Sequence, residues 1–242
     1  MKPVARRAVR AVAVLLLLLP AYGLLAYVLL PASWSRYVRW RSPMLAPGVT
    51  RTAEGLPGDP LNVALIGTDS DLFAAMRAAG WSPADRITLR SGFRDAASVL
   101  FNRPYACAPV STHFLWNRPQ DVAFERIVGK SPRRRHHVRF WRAGAPDGDR
   151  TLWVGAATYD RSVGLSRYTG EVMHHIDPRV DAERDTLVAE LRAASRLEDL
   201  DCTAGWRPAG SGRNGGGDRY ETDGRFCVGR LEGAGEPGAG TH

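Results

Sequence analysis

The longest unbroken apolar stretch in the chain runs from residue 11 to residue 30 without a charged side chain, and it includes five consecutive leucines at 15–19. At a rise of ~1.5 Å per residue the stretch reaches about 30 Å, the thickness of a bilayer's hydrocarbon core. Backbone groups in lipid must find partners within the segment, so the run predicts one N-terminal transmembrane helix. Pro20 removes a donor near its midpoint. Tyr22 and Tyr27, then Trp34, Tyr37 and Trp40, place amphipathic rings at or near one end, as an interfacial belt does. A cleaved secretory signal shares the basic start, but its apolar core is only ~7–15 residues long, so the length favours an anchor.

Beyond the anchor the pattern becomes shorter and more varied. Residues 42–60 carry Pro43, Pro47, Pro57 and Pro60 with Gly48, Gly55 and Gly58, which predicts an extended linker. The apolar run 61–67 predicts a buried strand. Thr68 or Asp69 is suited to cap a helix over 71–79, stopped by Gly80. A second helix is expected over 92–101, with Ala96, Ala97, Val99 and Leu100 as its apolar surface. Strands are expected over 112–116, 121–127, 136–142 and 151–159, the first two forming a hairpin through Asn117-Arg118-Pro119-Gln120. A fifth short strand covers 172–176. The spacing of Leu187, Val188 and Leu191 predicts a helix over 181–195, and a last strand fits 225–231. The Gly-rich tail 232–242 reads as disordered. The chain therefore divides into an anchor with flanks (1–41), a linker (42–60), a folded domain (61–231) and a tail. Helices and strands are segregated in this order, so the expected class is α+β, with a mixed or mainly antiparallel sheet and about three helices.

Charge changes the picture of partners. The 242-residue chain has a net charge of +8, which invites a nucleic-acid reading. Residues 1–60, however, hold eight basic side chains against Glu54 and Asp59, so +6 of the excess flanks the apolar run and the remainder is nearly neutral. A lipid bilayer explains that distribution as a partner, and nucleic acid does not. Four basic residues precede the run and Arg36, Arg39 and Arg41 follow it, which tips toward a cytoplasmic N-terminus and an exported domain. Of three cysteines, Cys202 and Cys227 can pair in an oxidising space and leave Cys107. No zinc spacing is present.

Several ordered blocks resemble a known family. GDPLNVALIGTDSDLFAAMRAAGW (58–81), RITLRSGFRDAASVLFNRPY (86–105), SPRRRHHVRFWR (131–142), WVGAATYDRSVGLSRYTGEVMHHIDPRVDAERD (153–185) and RNGGGDRYETDGR (213–225) are similar to the C-terminal domain of LssY-like membrane proteins. The resemblance implies a membrane-envelope setting and leaves the reaction open. Relatives carry the domain in multi-pass proteins, some with phosphatidic-acid-phosphatase-like or DedA-like regions, whereas this chain has one span. The phosphatase pattern itself is not met. Ser166-Arg167 precedes His174 by one residue too many, Lys130 lacks its Arg-Pro, and PSGH is absent.

The candidate chemistry gathers around two His-His pairs. Neighbours on a strand point to opposite faces, so His136 goes with Val138 and Phe140, and His137 with Arg139 and Trp141. If strands 136–142 and 172–176 are neighbours, His137 and His175 meet on the polar face while His136 and His174 face the core. Asp177 follows closely, and Asp181 and Asp185 lie four apart on one helix face. Imidazoles with carboxylates suit general acid/base work, with His137, His175 and Asp177 as catalytic candidates, or a divalent metal such as zinc. A purely structural reading has buried histidines holding the core, with Asp181 and Asp185 pairing to Arg184 or Arg179. Arg135 and Arg139, beside Arg133 and Arg134, suit an anion because the guanidinium fork grips phosphate bidentately. The expected function is a membrane-anchored envelope protein binding an anionic or envelope-associated ligand through Arg135, Arg139, Asp181 and Asp185. The alternatives are a membrane-tethered hydrolase of phosphoester or lipid-linked substrates, and a structural partner of membrane transport machinery with no small-molecule site.

Overall fold

The computed structural model describes residues 3–30, 32–33, 48–85, 110–129, 133–204 and 209–234. The chain begins with helix α1 (Pro3–Leu24), which runs through Pro20 and continues into a π-helical turn, Leu25–Leu29. Val12–Leu29 has a mean hydropathy of 2.4, long and apolar enough to cross a membrane. Almost all of it is exposed. Ala26 is the exception and is buried.

That domain is α+β, with two further helices and two main sheets among the described residues. The larger sheet has the order β11 (Leu197–Thr203), β14 (Phe226–Leu231), β3 (Val63–Gly67), β9 (Thr151–Leu165), β8 (Arg135–Arg142), β7 (Val122–Ile127) and β4 (Ser82–Pro83). Only β14 and β3 run parallel. The far half of the long strand β9 pairs with β10 (Val172–Ile176). A smaller antiparallel sheet has the order β2 (Pro57–Pro60), β1 (Val49–Thr52), β5 (His113–Leu115) and β6 (Arg118–Pro119). A two-stranded ribbon, β12 (Gly210–Arg213) with β13 (Arg219–Thr222), completes the strands.

Helices α2 (Asp69–Ala78) and α3 (Val180–Ala193) belong with one face of the larger sheet. Thr68 starts α2 with a capping box: Asp71 N–H donates to Thr68 Oγ1, and Thr68 N–H donates to the Asp71 carboxylate. Leu72, Ala75 and Met76 of α2 and Leu187, Val188 and Leu191 of α3 pack with Val63, Leu65, Phe124, Val138 and Phe140 of the sheet. A second apolar cluster, with Trp141, Val154, Ala156 and Phe226, also packs Leu115 of the smaller sheet. Cys202 and Cys227 face one another across β11 and β14 and form a disulfide.

Three sequence expectations meet a different outcome. The second half of the Pro/Gly-rich 42–60 segment is folded, because its extended Pro and Gly backbone pairs as β1 and β2, with Thr50 and Asp59 buried. The strands expected at 112–116 and 121–127 do not pair with each other. β5 turns at Trp116-Asn117, both with positive φ, into the short β6, while β7 pairs with β8. Strand β10 is not a neighbour of β8, because β9 lies between them. The helix expected over 92–101 lies outside the described residues, as do Cys107 and residues 235–242 of the tail.

Candidate ligand-binding site

Strand alternation builds the site. On β8, Arg135, His137 and Arg139 share one face, and the register places Asp160 and Thr158 of β9 opposite the first two. Glu125 of β7 lies opposite His137 on the other side. This polar row lies on the face opposite α2 and α3. Asp59 of β2 and His113 of β5 reach it from the smaller sheet. His174 of β10 closes a further side. Arg135, His137, Arg139, Asp160, Asp59, His113 and His174 line a cavity of about 550 Å³, whose rim carries Tyr27 of the apolar N-terminal segment, Glu54 and Glu171.

The charges on this wall form one connected network. Arg135 donates from Nε to Asp160 Oδ2 at 2.9 Å and from Nη1 to Glu125 Oε2 at 3.0 Å, and its Nη2 lies 3.4 Å from His174 Nδ1. Arg139 donates from Nη1 to Asp59 Oδ2 at 2.6 Å, and to the Ser111 carbonyl and hydroxyl at 3.0 and 2.8 Å. His137 Nε2 sits 2.8 Å from Arg139 Nη1 and 2.7 Å from Thr158 Oγ1. Its Nδ1 is 3.3 Å from Asp160 Oδ2, close enough for Coulomb attraction but not aligned as a hydrogen bond. A neutral ring can therefore accept from Arg139, and a protonated ring can donate to Thr158.

Burial and neighbouring charge pull these groups in different directions. Burial works to lower the His137 pKa, but Asp160 and Asp59 outweigh it, and the net direction is upward. His113 is pushed down to about 3, by burial first and then by the Arg139 charge. Burial works to raise the carboxyl of Asp59, and His113, His137 and Arg139 nevertheless hold it far below the usual range. Asp160 is depressed in the same way, burial being overcome by His137, His174 and Arg135. At the rim, burial raises the pKa of Glu171. With neutral imidazoles, Arg135 and Arg139 face Asp59, Asp160 and Glu125, so an incoming anion is best accommodated together with a proton on the network.

Of the residues singled out in the sequence, Arg135, Arg139 and His137 lie together on the cavity wall. His175, Asp177, Asp181 and Asp185 lie elsewhere. His175 Nδ1 pairs with Asp218 Oδ1 at 2.8 Å, and Asp218 also accepts from the Ile176 N–H. Asp177 accepts from the backbone and Nε of Arg179. Asp181 and Asp185 both bind the buried Arg184, which also forks onto Asp223. On the helix side of the sheet, His136 Nδ1 meets the Glu183 carboxylate at 2.8 Å. Among the described residues, no three His, Cys, Asp or Glu side chains converge as metal ligands would. Sequence reasoning missed Asp59, Asp160 and His174 as wall residues. An aspartate inside an alternating strand is unusual, and that was the available signal for Asp160.

Comparison with known proteins adds a family. The LssY C-terminus pattern matches residues 43–226, which include both sheets' contributions to the cavity. No curated protein and no solved structure matches the chain.

Proposed function

The chain belongs to the LssY C-terminus family, and from that premise we propose that it is a membrane-anchored envelope protein whose domain binds an anionic ligand in the cavity between its two sheets. The observation that carries this reading is the cavity wall itself. Two buried guanidinium groups and three imidazoles, balanced by the Asp59 and Asp160 carboxylates, converge on about 550 Å³ of space, within the ~300–1,000 Å³ typical of small-molecule sites. Burying so many charges costs several kcal/mol per ion before pairing. The guanidinium fork suits phosphate or carboxylate oxygens, and His137, raised in pKa, is the group suited to hold the accompanying proton.

Two further observations support the setting. The Cys202–Cys227 disulfide suits an oxidising compartment, and hence an exported domain. Tyr22 donates to the Gly170 carbonyl, and Tyr27 accepts from the Val172 N–H, so the apolar helix is bonded to the domain as a permanent anchor is and a removable leader need not be. The bilayer is then a standing partner.

Calorimetric titration of the full chain in detergent with glycerol 3-phosphate at pH 6 and pH 8 tests the reading. Saturable binding, tighter at pH 6, is expected. His174→Ala should weaken it about tenfold, the scale of a lost hydrogen bond to a charged group. His175→Ala should leave it unchanged, because that side chain holds Asp218 instead. A folded wild type with no saturable binding at pH 6 overturns the proposal.

One arrangement favours a second reading. His137 has a carboxylate behind Nδ1 and a hydroxyl before Nε2, the order in which a base is oriented for acid/base work. Release of phosphate from glycerol 3-phosphate in the same samples, abolished by His137→Gln, would make the protein a membrane-tethered hydrolase.

A further inference from the structure

Resting on that reading, we infer that the anionic ligand is a membrane lipid, which enters the cavity sideways from the bilayer with its head against the arginine wall and its acyl chains left outside. Three observations converge on this. The first is where the anchor touches the domain. Tyr22 and Tyr27 bond to Gly170 and Val172, at the hairpin joining β9 to β10. Tyr22 lies seven residues before Leu29, the end of the membrane-crossing window, which is about 10 Å along the helix axis. The headgroup layer on each side of a bilayer is only ~5–7 Å thick. The hairpin is therefore held beside the membrane-crossing stretch rather than clear of the bilayer surface.

The second is what the hairpin presents there. Leu165 and Val172 are direct cross-strand partners, and they are 57% and 56% exposed. Two large apolar side chains paired at a hairpin end are unfavourable in water and favourable at the acyl boundary. They continue the apolar surface of the anchor, whose Tyr27 stands beside them.

The third is the grading of the cavity. Its mouth carries the apolar Val172 and Met173 and the Tyr27 ring beside Glu54 and Glu171, and its most buried part holds Arg135, Arg139 and His137. Exposure falls in the same order, from more than half at Val172 to 2% at His137 and Arg139. A soluble anion needs no apolar mouth. An amphiphile with a phosphate-bearing head and acyl chains matches both ends at once.

The test uses the full chain in nanodiscs of phosphatidylcholine containing phosphatidylglycerol with a photoreactive group on its acyl chain, with glycerol 3-phosphate titration run in parallel. Irradiation is expected to label the β9–β10 hairpin and Tyr27, and excess unlabelled phosphatidylglycerol to suppress the labelling. Leu165→Asp, at an exposed position outside the cavity lining, should reduce labelling about tenfold, as a charge at the bilayer boundary does. It should leave glycerol 3-phosphate binding intact. If glycerol 3-phosphate binds but the hairpin is not labelled, or the variant labels as the wild type does, lipid entry is wrong and the anion site stands. If neither probe binds, both readings fall.

Discussion

Arg139→Met isolates the electrostatic argument on which the cavity depends. Arg139 is 2% exposed and donates to Asp59, itself 2% exposed. Removing the guanidinium leaves that carboxylate in a dry wall, with His113 Nδ1 at 3.6 Å and His137 Nε2 at 3.8 Å as its nearest ionisable nitrogens. In the wild type His113 is neutral at pH 7, and in the variant these two imidazoles are the only nearby groups among the described residues that can offer compensation. Breaking a buried pair on one side costs about 3–5 kcal/mol, while replacing both partners with apolar groups is often nearly neutral. The single variant should therefore lose about 3–5 kcal/mol, and Arg139→Met with Asp59→Leu should recover most of it, to within about 1 kcal/mol of wild type. The pH response has a definite sign. In the wild type the depressed Asp59 pKa contributes stability above the unfolded carboxylate range, and this is lost only as pH falls far below it. In the variant an unpaired buried carboxyl protonates early, so its deficit should shrink between pH 7 and pH 5. Urea unfolding followed by the fluorescence of buried Trp141 and Trp153 reads all three quantities. A single-variant loss under about 1 kcal/mol, or a double variant no more stable than the single, would refute the network as described.

Further outcomes follow from other elements. His113 has its pKa pushed down to about 3, so the unfolded chain takes up a proton below pH ~6.5 that the folded chain refuses, and stability falls on acidification. The group accounts for about 2 kcal/mol lost between pH 7 and pH 5, and urea midpoints of His113→Gln should show that part of the acid loss removed. His137 acts in the opposite sense. Its raised pKa contributes stability that is complete below pH ~6.5 and is lost as pH rises through the folded value, so His137→Gln should flatten the alkaline side of the same profile. Reduction of the Cys202–Cys227 disulfide, which closes a separation of 25 residues, should cost about 3 kcal/mol in the same assay. Gly155→Ala should destabilise by about 1–3 kcal/mol, because the new methyl would meet Phe140 at 2.6 Å and Val63 at 3.0 Å inside the core.

The elements with a clear period were legible in the sequence, and those without one were not. The 11–30 run, the 181–195 spacing and the apolar run beginning at residue 61 each carry enough repeats to declare themselves, and the helices and strands appear there. Strand β9 was read only to residue 159, because Asp160 and Arg161 interrupt the alternation. The strand continues to Leu165, since Arg135 across the sheet satisfies Asp160. Strands β1 and β2 were hidden inside prolines and glycines. Their stability comes from pairing with each other and with β5, more than fifty residues away, and a local pattern carries no trace of such a partner.

The same non-locality explains why the histidines could be sorted on one strand and not on the other. Parity within β8 is a local fact, so His136 with Val138 and Phe140 falls on the helix side and His137 opposite, as alternation requires. Parity between β8 and β10 is not local, because it passes through β9 and through a register shift between His175 and Ile176. One residue of slip exchanges the two faces. With the shift in place, His174 joins Arg135 at the cavity, and His175 turns to Asp218 in the Gly-rich loop. The carboxylates that balance the wall come from still farther away: Asp59 lies eighty positions from the arginine it binds. A buried ion pair is stable only when both charges arrive together, so a site of this kind is specified by tertiary contacts. Its two halves look unremarkable when read along the chain, a Gly-Asp-Pro turn in one place and a basic strand in another.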